Sequence, residues 1–391
     1  MSLKTRLSVL FISTPVLAFV LVGGLLGNSS AATNDESYQH LRVFSEVVDL
    51  VMNNYVTEVK ADRAMEGAMR GLADGLDPDS AYLTPQMVKA LDAGEAQGDG
   101  DVGIELTRQY YLRVIATRDG SPGAKANLQT GDYIRGIDGK PTRDMSVFEG
   151  SRLLRGKPGT KVTVTVIRGN AADPHEIALV REKASAPLVT SRTLPNGMGY
   201  LRIVSFRNGV AQEVRGHAAD LASKGAKALI VDVRRTAEGT YENGIDAARV
   251  FVKSGTLAIK AGREKTGTRE TIAAKAGDGT IDLPVTLLAT TGTAGAAELF
   301  VAALDGNKRA EIVGERTLGR AGIQKLVKLP EGRGLWLTYA RYLRPDGEQI
   351  QGRGIQPDLE VDEPAQEFGE PLPEKDAILE AAIEHLQKRA Q

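Results

Sequence analysis

The chain has 391 residues, enough for two or three domains of ordinary size. Its 49 basic and 50 acidic residues balance, which argues against nucleic-acid binding by phosphate neutralisation. There is no cysteine, which excludes disulfide frameworks, thiolate nucleophiles and zinc knuckles, and the four histidines (His40, His175, His217, His385) lack metal-ligand spacing. No metal and no cofactor are expected.

Met1 to Ala32 reads as a targeting segment. Lys4 and Arg6 precede an apolar run from Val9 to Leu26, followed by Asn28-Ser29-Ser30 and the small pair Ala31-Ala32. The run is long for a cleaved signal and just long enough to span a bilayer. The basic side keeps the N-terminus in the cytoplasm and sends the body outside. Two outcomes follow: cleavage after Ala31 or Ala32, or a retained inner-membrane anchor. Either way the body is exported, to a periplasmic or cell-envelope location.

From Tyr38 to Tyr55, Leu41, Phe44, Val47, Val48, Val51 and Met52 fall at helical spacing, a stripe that demands burial against the body or a partner. A second helix is expected at about Ala64 to Ala73, followed by Gly75-Leu76-Asp77-Pro78-Asp79-Ser80-Ala81-Tyr82-Leu83-Thr84-Pro85. From Gly98 to about Val180 come Gly103-Ile104-Glu105-Leu106, a strand through Tyr111 to Ile115, Gly131-Asp132-Tyr133-Ile134, Ile137-Asp138-Gly139-Lys140 and Leu153-Leu154-Arg155-Gly156-Lys157-Pro158-Gly159-Thr160.

Beyond Ala186, Gly199-Tyr200-Leu201-Arg202-Ile203 opens a further region. A helix near Val210 to Ser223 leads to the buried strand Ala228 to Arg234 and the turn Arg235-Thr236-Ala237-Glu238-Gly239. An apolar strand (Val285, Leu287, Leu288) then runs into Thr290-Thr291-Gly292, and a helix begins near Ala294. A residue at such a helix start faces unpaired backbone N–H groups and the positive end of the helix dipole, a setting suited to an oxyanion. Ile312-Val313 leads to a loop with Gly314, Gly319, Arg320 and Gly322. Leu343 to Gly347 and Ile350 to Asp358 close the region. A Pro/Glu-rich spacer, Pro364 to Pro373, precedes a short amphipathic helix with Ile378, Leu379, Ala382, Ile383 and Leu386.

These strings resemble the C-terminal processing peptidases, or tail-specific proteases, with a PDZ domain of the bacterial protease type. The resemblance implies an α+β multidomain fold. Its parts are a 1–32 signal or anchor, a 33–97 helical region, and a 98–183 PDZ domain, β-sandwich-like with helices. A mixed α/β core at 184–363 and a 364–391 linker with C-terminal helix complete it. It also implies peptide capture by Val102, Gly103 and Ile104, by addition to a sheet edge, and a homodimer through the N-terminal helices.

The chemical motifs depart from that family. Glu298 aligns the family's Ser-Ala-Ser-Ala-Ser-Glu motif so that the nucleophile position falls on Gly295, with Thr293 and Ala297 for the flanking serines. The family's base lysine falls on Arg320, and Gln324 keeps its glutamine. Ala296, Glu238 and Gly239 take the oxyanion positions, where one glycine and a proline are lost and Glu238 adds a charge that would repel an oxyanion. Asp79 replaces the histidine of the family's Leu-Asp-Pro-His-Ser string, and Asp101 stands where a glycine is usual, its charge opposing a peptide carboxylate. Glycine offers no heavy atom to attack with, and arginine does not give up its proton. Loss of the nucleophile or the base costs about 10⁶ in turnover in a serine protease.

The expectation is an exported pseudoprotease that binds peptide C-termini, unfolded polypeptide or a partner protein. The alternative is an active serine-type endopeptidase cleaving near apolar C-termini with an atypical nucleophile, for which Thr293 is the candidate.

Overall fold

The computed structural model describes residues 38–93, 98–169, 173–184, 187–264, 266–364, 366–368, 370 and 375–389. The targeting segment lies outside them. Among the described residues no helix is long and apolar enough to cross a membrane. The chain divides into two compact units, Met1–Gly71 and Leu72–Gln391.

The first unit contains helix α1 (38–54) and most of α2 (Ala61–Asp74). Much of the stripe on α1 is uncovered in the single chain: Leu41, Phe44, Val47 and Val51 are exposed, while Val48 and Met52 are half-buried. The sequence pattern specifies an apolar face but not what covers it.

The second unit opens with β1 (Ala81–Leu83) and α3 (Pro85–Asp92). Thr84 Oγ1 accepts from Met87 N, and Pro85 sits where a helix has no use for its N–H. Ten short elements follow in chain order: β2 (Gly100–Asp101), β3 (Ile104–Gln109), β4 (Tyr111–Thr117), α4 (Pro122–Lys125), β5 (Tyr133–Ile137), β6 (Lys140–Pro141), α5 (Val147–Leu154), β7 (Lys161–Ile167), β8 (His175–Val180) and β9 (Glu182–Lys183). Strands β3-β4-β5-β7-β8 form one antiparallel sheet, with β6 on β5, and β2 pairs separately with β9. Alternation decides the inner face: Val162, Val164 and Val166 are buried while the residues between them are half-exposed. This is the PDZ fold.

The remaining region carries β10 (Val189–Thr193), β11 (Gly199–Ile203), α6 (Val210–Ser223), β12 (Leu229–Asp232), α7 (Tyr241–Ala248), β13 (Thr256–Ala261), β14 (Arg269–Ala273), β15 (Val285–Ala289), α8 (Ala296–Gly306), β16 (Ala310–Gly314), β17 (Gly322–Lys328), β18 (Gly334–Leu343), β19 (Leu359–Glu360) and α9 (Ala377–Arg389). The order β10-β11-β12-β15-β16-β19 makes one sheet, parallel from β11 onward with β10 an antiparallel edge. Every residue of β12 and β15 is buried, as a parallel sheet covered on both faces requires. Helices α6, α7 and α8 cover one face. On the other, Ile378, Ala382 and Leu386 of α9 pack on Ile230, Leu288 and Val313. A second sheet, β1-β18-β13-β14 with β17 on β18, brings the N-terminal end of this unit to the core, because Ala81 pairs with Trp336.

The Pro/Glu-rich spacer is more than a solvated connection where it is described. Arg168 stacks on Phe368 at 4.1 Å, His175 lies against the same ring, and Arg168 Nη1 donates to Glu367 O.

Candidate functional site

The strand-to-helix connection between β15 and α8 forms the floor of the site. Thr293 is fully buried; its hydroxyl donates to Val233 O (2.9 Å) and accepts from Thr290 N (3.1 Å). It is a satisfied turn residue facing inward. Gly295 follows with φ 63° and ψ −120°, a conformation that L side chains rarely adopt. A Cβ there would come no nearer than 3.6 Å to Ala237 O and 4.0 Å to the Tyr241 ring. The space for a side chain is open, but the backbone conformation does not favour one.

Glu298, in the first turn of α8, ties this turn to the loop before β17. Oε2 accepts from Gly295 N (3.1 Å) and Arg320 N (2.7 Å). Oε1 accepts from Gly319 N (2.6 Å) and Thr317 Oγ1 (2.5 Å). Complete burial pushes the Glu298 carboxyl up to about 7, against the pull of its four donors. Thr317 Oγ1 in turn accepts from Ile355 N (2.8 Å), which is how the closing string supports the site.

Arg320 projects from that loop. Its Nη2 lies 2.8 Å from Asp79 Oδ1, and Nη1 lies 4.0 Å from Glu105 Oε2 and donates a long bond (3.4 Å) to Leu106 O. Burial pulls its pKa down, but Asp79, Tyr241 and Glu105 outweigh that and hold it above the ordinary value. Gln324 Nε2 donates to Thr338 Oγ1 (3.1 Å), and the Tyr241 hydroxyl donates to Gly322 O (2.9 Å).

The turn after β12 forms the opposite wall. Thr236 Oγ1 donates to Ile203 O and accepts from Arg202 Nη1, each at 2.8 Å. Gly239, at φ 129°, approaches so closely that a Cβ would lie 2.3 Å from Phe206 O, so this glycine is sterically required. Glu238, expected from sequence to add a charge that would repel an oxyanion, has two cationic neighbours. Its Oε1 accepts from Arg118 Nη1 at 3.1 Å and has Arg207 Nε at 3.7 Å. Arg118 also pairs with Asp101, through Nη2 at 2.5 Å and Nη1 at 3.2 Å. Asp101 thus shares that cation with Glu238, and its Oδ1 accepts from Gly103 N at 2.9 Å. A carboxylate of the chain itself holds an N–H of the loop expected to receive a peptide carboxylate.

Six of the residues singled out from sequence (Glu238, Gly239, Gly295, Ala296, Arg320 and Gln324) line one cavity of about 650 Å³. Val102, Gly103 and Ile104 line a small adjoining one, which shares Asp101, Glu105 and Arg155 with the first. Sequence reasoning missed the partners: Asp79 for Arg320, Arg118 for Asp101 and Glu238, and the fourfold role of Glu298. In the sequence Asp79 reads only as a departure from a motif. The arrangement surrounds an open groove with hydrogen-bonding groups and a fixed cation, Arg320, and the Tyr241 hydroxyl that lines it is engaged by Gly322 O.

A profile of peptidase family S41 matches residues 197–361, and a PDZ domain profile matches residues 113–168. The carboxy-terminal-processing protease of Bartonella bacilliformis is 31% identical over 353 residues, covering 88% of this chain and 79% of that protein. The carboxy-terminal processing protease CtpA of Bacillus subtilis is 28% identical over 372 residues, covering 93% of this chain and 78% of the relative. Among solved structures, the photosystem II D1 C-terminal processing protease superposes with a TM-score of 0.67 at 28% identity, over 80% of this chain and 85% of that one.

Proposed function

The chain belongs to the C-terminal processing peptidases of family S41, and from that membership we propose that it is a non-cleaving member. It binds protein C-termini or unfolded polypeptide along the PDZ edge and the adjoining groove, and does not hydrolyse them. One observation carries this reading: Gly295 leaves the nucleophile position without a heavy atom, while Arg320, at the base position, is paired with Asp79 and stays charged. The inward-facing Thr293 hydroxyl, bonded on both sides, supports it further by removing the candidate substitute.

The same proposal carries the parts that rest on sequence alone. The body is exported by the segment 1–32 to the periplasm or cell envelope, with that segment either removed or kept as an anchor. The chain pairs with a second copy through its N-terminal helices. Domain limits of 33–97, 98–183, 184–363 and 364–391 frame these roles.

The test is to mix the full chain with a fluorescein-labelled unfolded protein ending in an apolar tail, and to follow anisotropy and fragment release together. Binding without new fragments is expected. Fragments that accumulate with time, and vanish in Thr293→Ala, would overturn the reading.

A further inference from the structure

Leu106 on β3 stands opposite Val114 on β4. Val114 has both backbone groups engaged on its far side: its N–H donates to Asp132 O (2.8 Å) and its carbonyl accepts from Gly131 N (2.9 Å). In an antiparallel ladder, residues opposite one another either exchange both bonds or turn both pairs of groups outward. Leu106 therefore turns its N–H and C=O away from β4, toward the open edge of β3 that faces α5. An incoming extended peptide pairs with such outward-facing groups when it adds a strand to the sheet. The Leu106 carbonyl on that edge is already taken. Arg320 Nη1 reaches it from the core at 3.4 Å, and the same guanidinium is fixed from behind by Asp79 at 2.8 Å. Asp79 is itself buried, and it is positioned by the β1–β18 pairing just beyond it. Arg320 lines both the 650 Å³ groove and a smaller cavity, about 230 Å³, bordered by Val147, Phe148 and Ser151 of α5. It stands at the junction of the peptide edge and the emptied centre.

We propose that Arg320, latched by Asp79, is an internal plug on the peptide-binding edge of the PDZ domain: a peptide pairs with Leu106 only after displacing the guanidinium. The inference rests on the reading of the chain as a peptide binder. It gives the former base position a new task, holding the edge shut in the absence of ligand. Because the plug comes from the core, occupation of the edge and rearrangement of the groove are one event.

The experiment measures anisotropy of fluorescein-labelled decapeptides with free C-terminal carboxylates, ending in Ala-Ala, Leu-Ala, Val-Val or Glu-Asp. The full chain is compared with Arg320→Ala and with Asp79→Asn/Arg320→Ala, the second variant avoiding a stranded carboxylate should the first fold poorly. Removing a cation near an anionic peptide weakens binding on charge alone, so a tighter complex reports the uncovered edge. The expected result is a Kd lowered about tenfold in both variants for the best-binding peptide. If the unaltered chain binds and the variants bind no tighter, the plug is wrong while the peptide-binder reading stands. If no form binds any of the peptides, both fall.

Discussion

Arg320 Nη2 lies 2.8 Å from Asp79 Oδ1, so two residues far apart in sequence meet in space. The carboxylate holds the guanidinium as an ion pair, and either side chain without the other would leave a charge in a largely enclosed site. Asp79→Ala and Arg320→Ala are each expected to lower the unfolding free energy by about 2 kcal/mol, below the usual cost of breaking a buried pair because Arg320 is a quarter exposed. Urea titration of both singles and the double should show a coupling of about 1 kcal/mol or more. Strictly additive costs would mean that the two side chains ignore each other.

Gly295 makes a separate prediction. The space beside it admits a side chain, but its positive φ does not favour one. Gly295→Ser should cost about 1–2 kcal/mol of stability from backbone strain, with no turnover. Adding Arg320→Lys should also fail, because Asp79 would hold a lysine there in its charged form. Activity above background in that double variant, measured with a fluorogenic unfolded substrate, would show that the Asp79 carboxylate and the altered Thr236–Gly239 turn matter less than argued.

Glu298 sets a pH dependence. Burial raises its carboxyl pKa from 4.5 to about 7, so the folded chain keeps a proton that the unfolded chain gives up. The stability from this group is therefore fully present below about pH 4.5 and is lost as pH rises through about 7, at most about 3 kcal/mol. Glu298→Gln should flatten that slope while lowering stability overall, since an amide cannot accept four donors as a carboxylate does. Thermal melts at half-unit pH steps give the comparison. An unchanged slope in the variant would assign the pH dependence to another group.

Arg118 bridges the PDZ loop and the core through Asp101 and Glu238, with its side chain only 6% exposed. Arg118→Ala leaves two neighbouring carboxylates without their shared cation and should destabilise by about 2–3 kcal/mol. Adding Glu238→Gln should recover part of that loss, as read from the melting temperature. No recovery would mean that Glu238 relies on Arg207 instead.

Much of this architecture is legible in the sequence because it rests on short-range rules. The buried runs of β12 and β15, the two-residue alternation of β7 and the apolar face of α9 are written in residue spacing, and the PDZ and S41 strings fix their order. The proposed assignment of Gly295 to the nucleophile position comes from the sequence alone, because it depends on one residue aligned by Glu298. The electrostatics were not legible there. Glu238 and Asp101 read as charges that would oppose an anion, since nothing local announces that Arg118, on another element, is shared by both. Likewise Asp79 gains its meaning only once the β1–β18 pairing carries it to Arg320. What escapes a linear reading is the set of side-chain partners brought together by long-range strand pairing.

The central claim is the proposal that the chain does not form an acyl-enzyme with substrate in this groove. Intact-mass measurement of the full chain after prolonged incubation with a peptidyl diphenyl phosphonate, a serine-directed reagent, tests it most directly. The account predicts an unchanged mass, alongside full labelling of an active S41 protease treated in parallel. A stoichiometric adduct mapped to any side chain lining the cavity would contradict it.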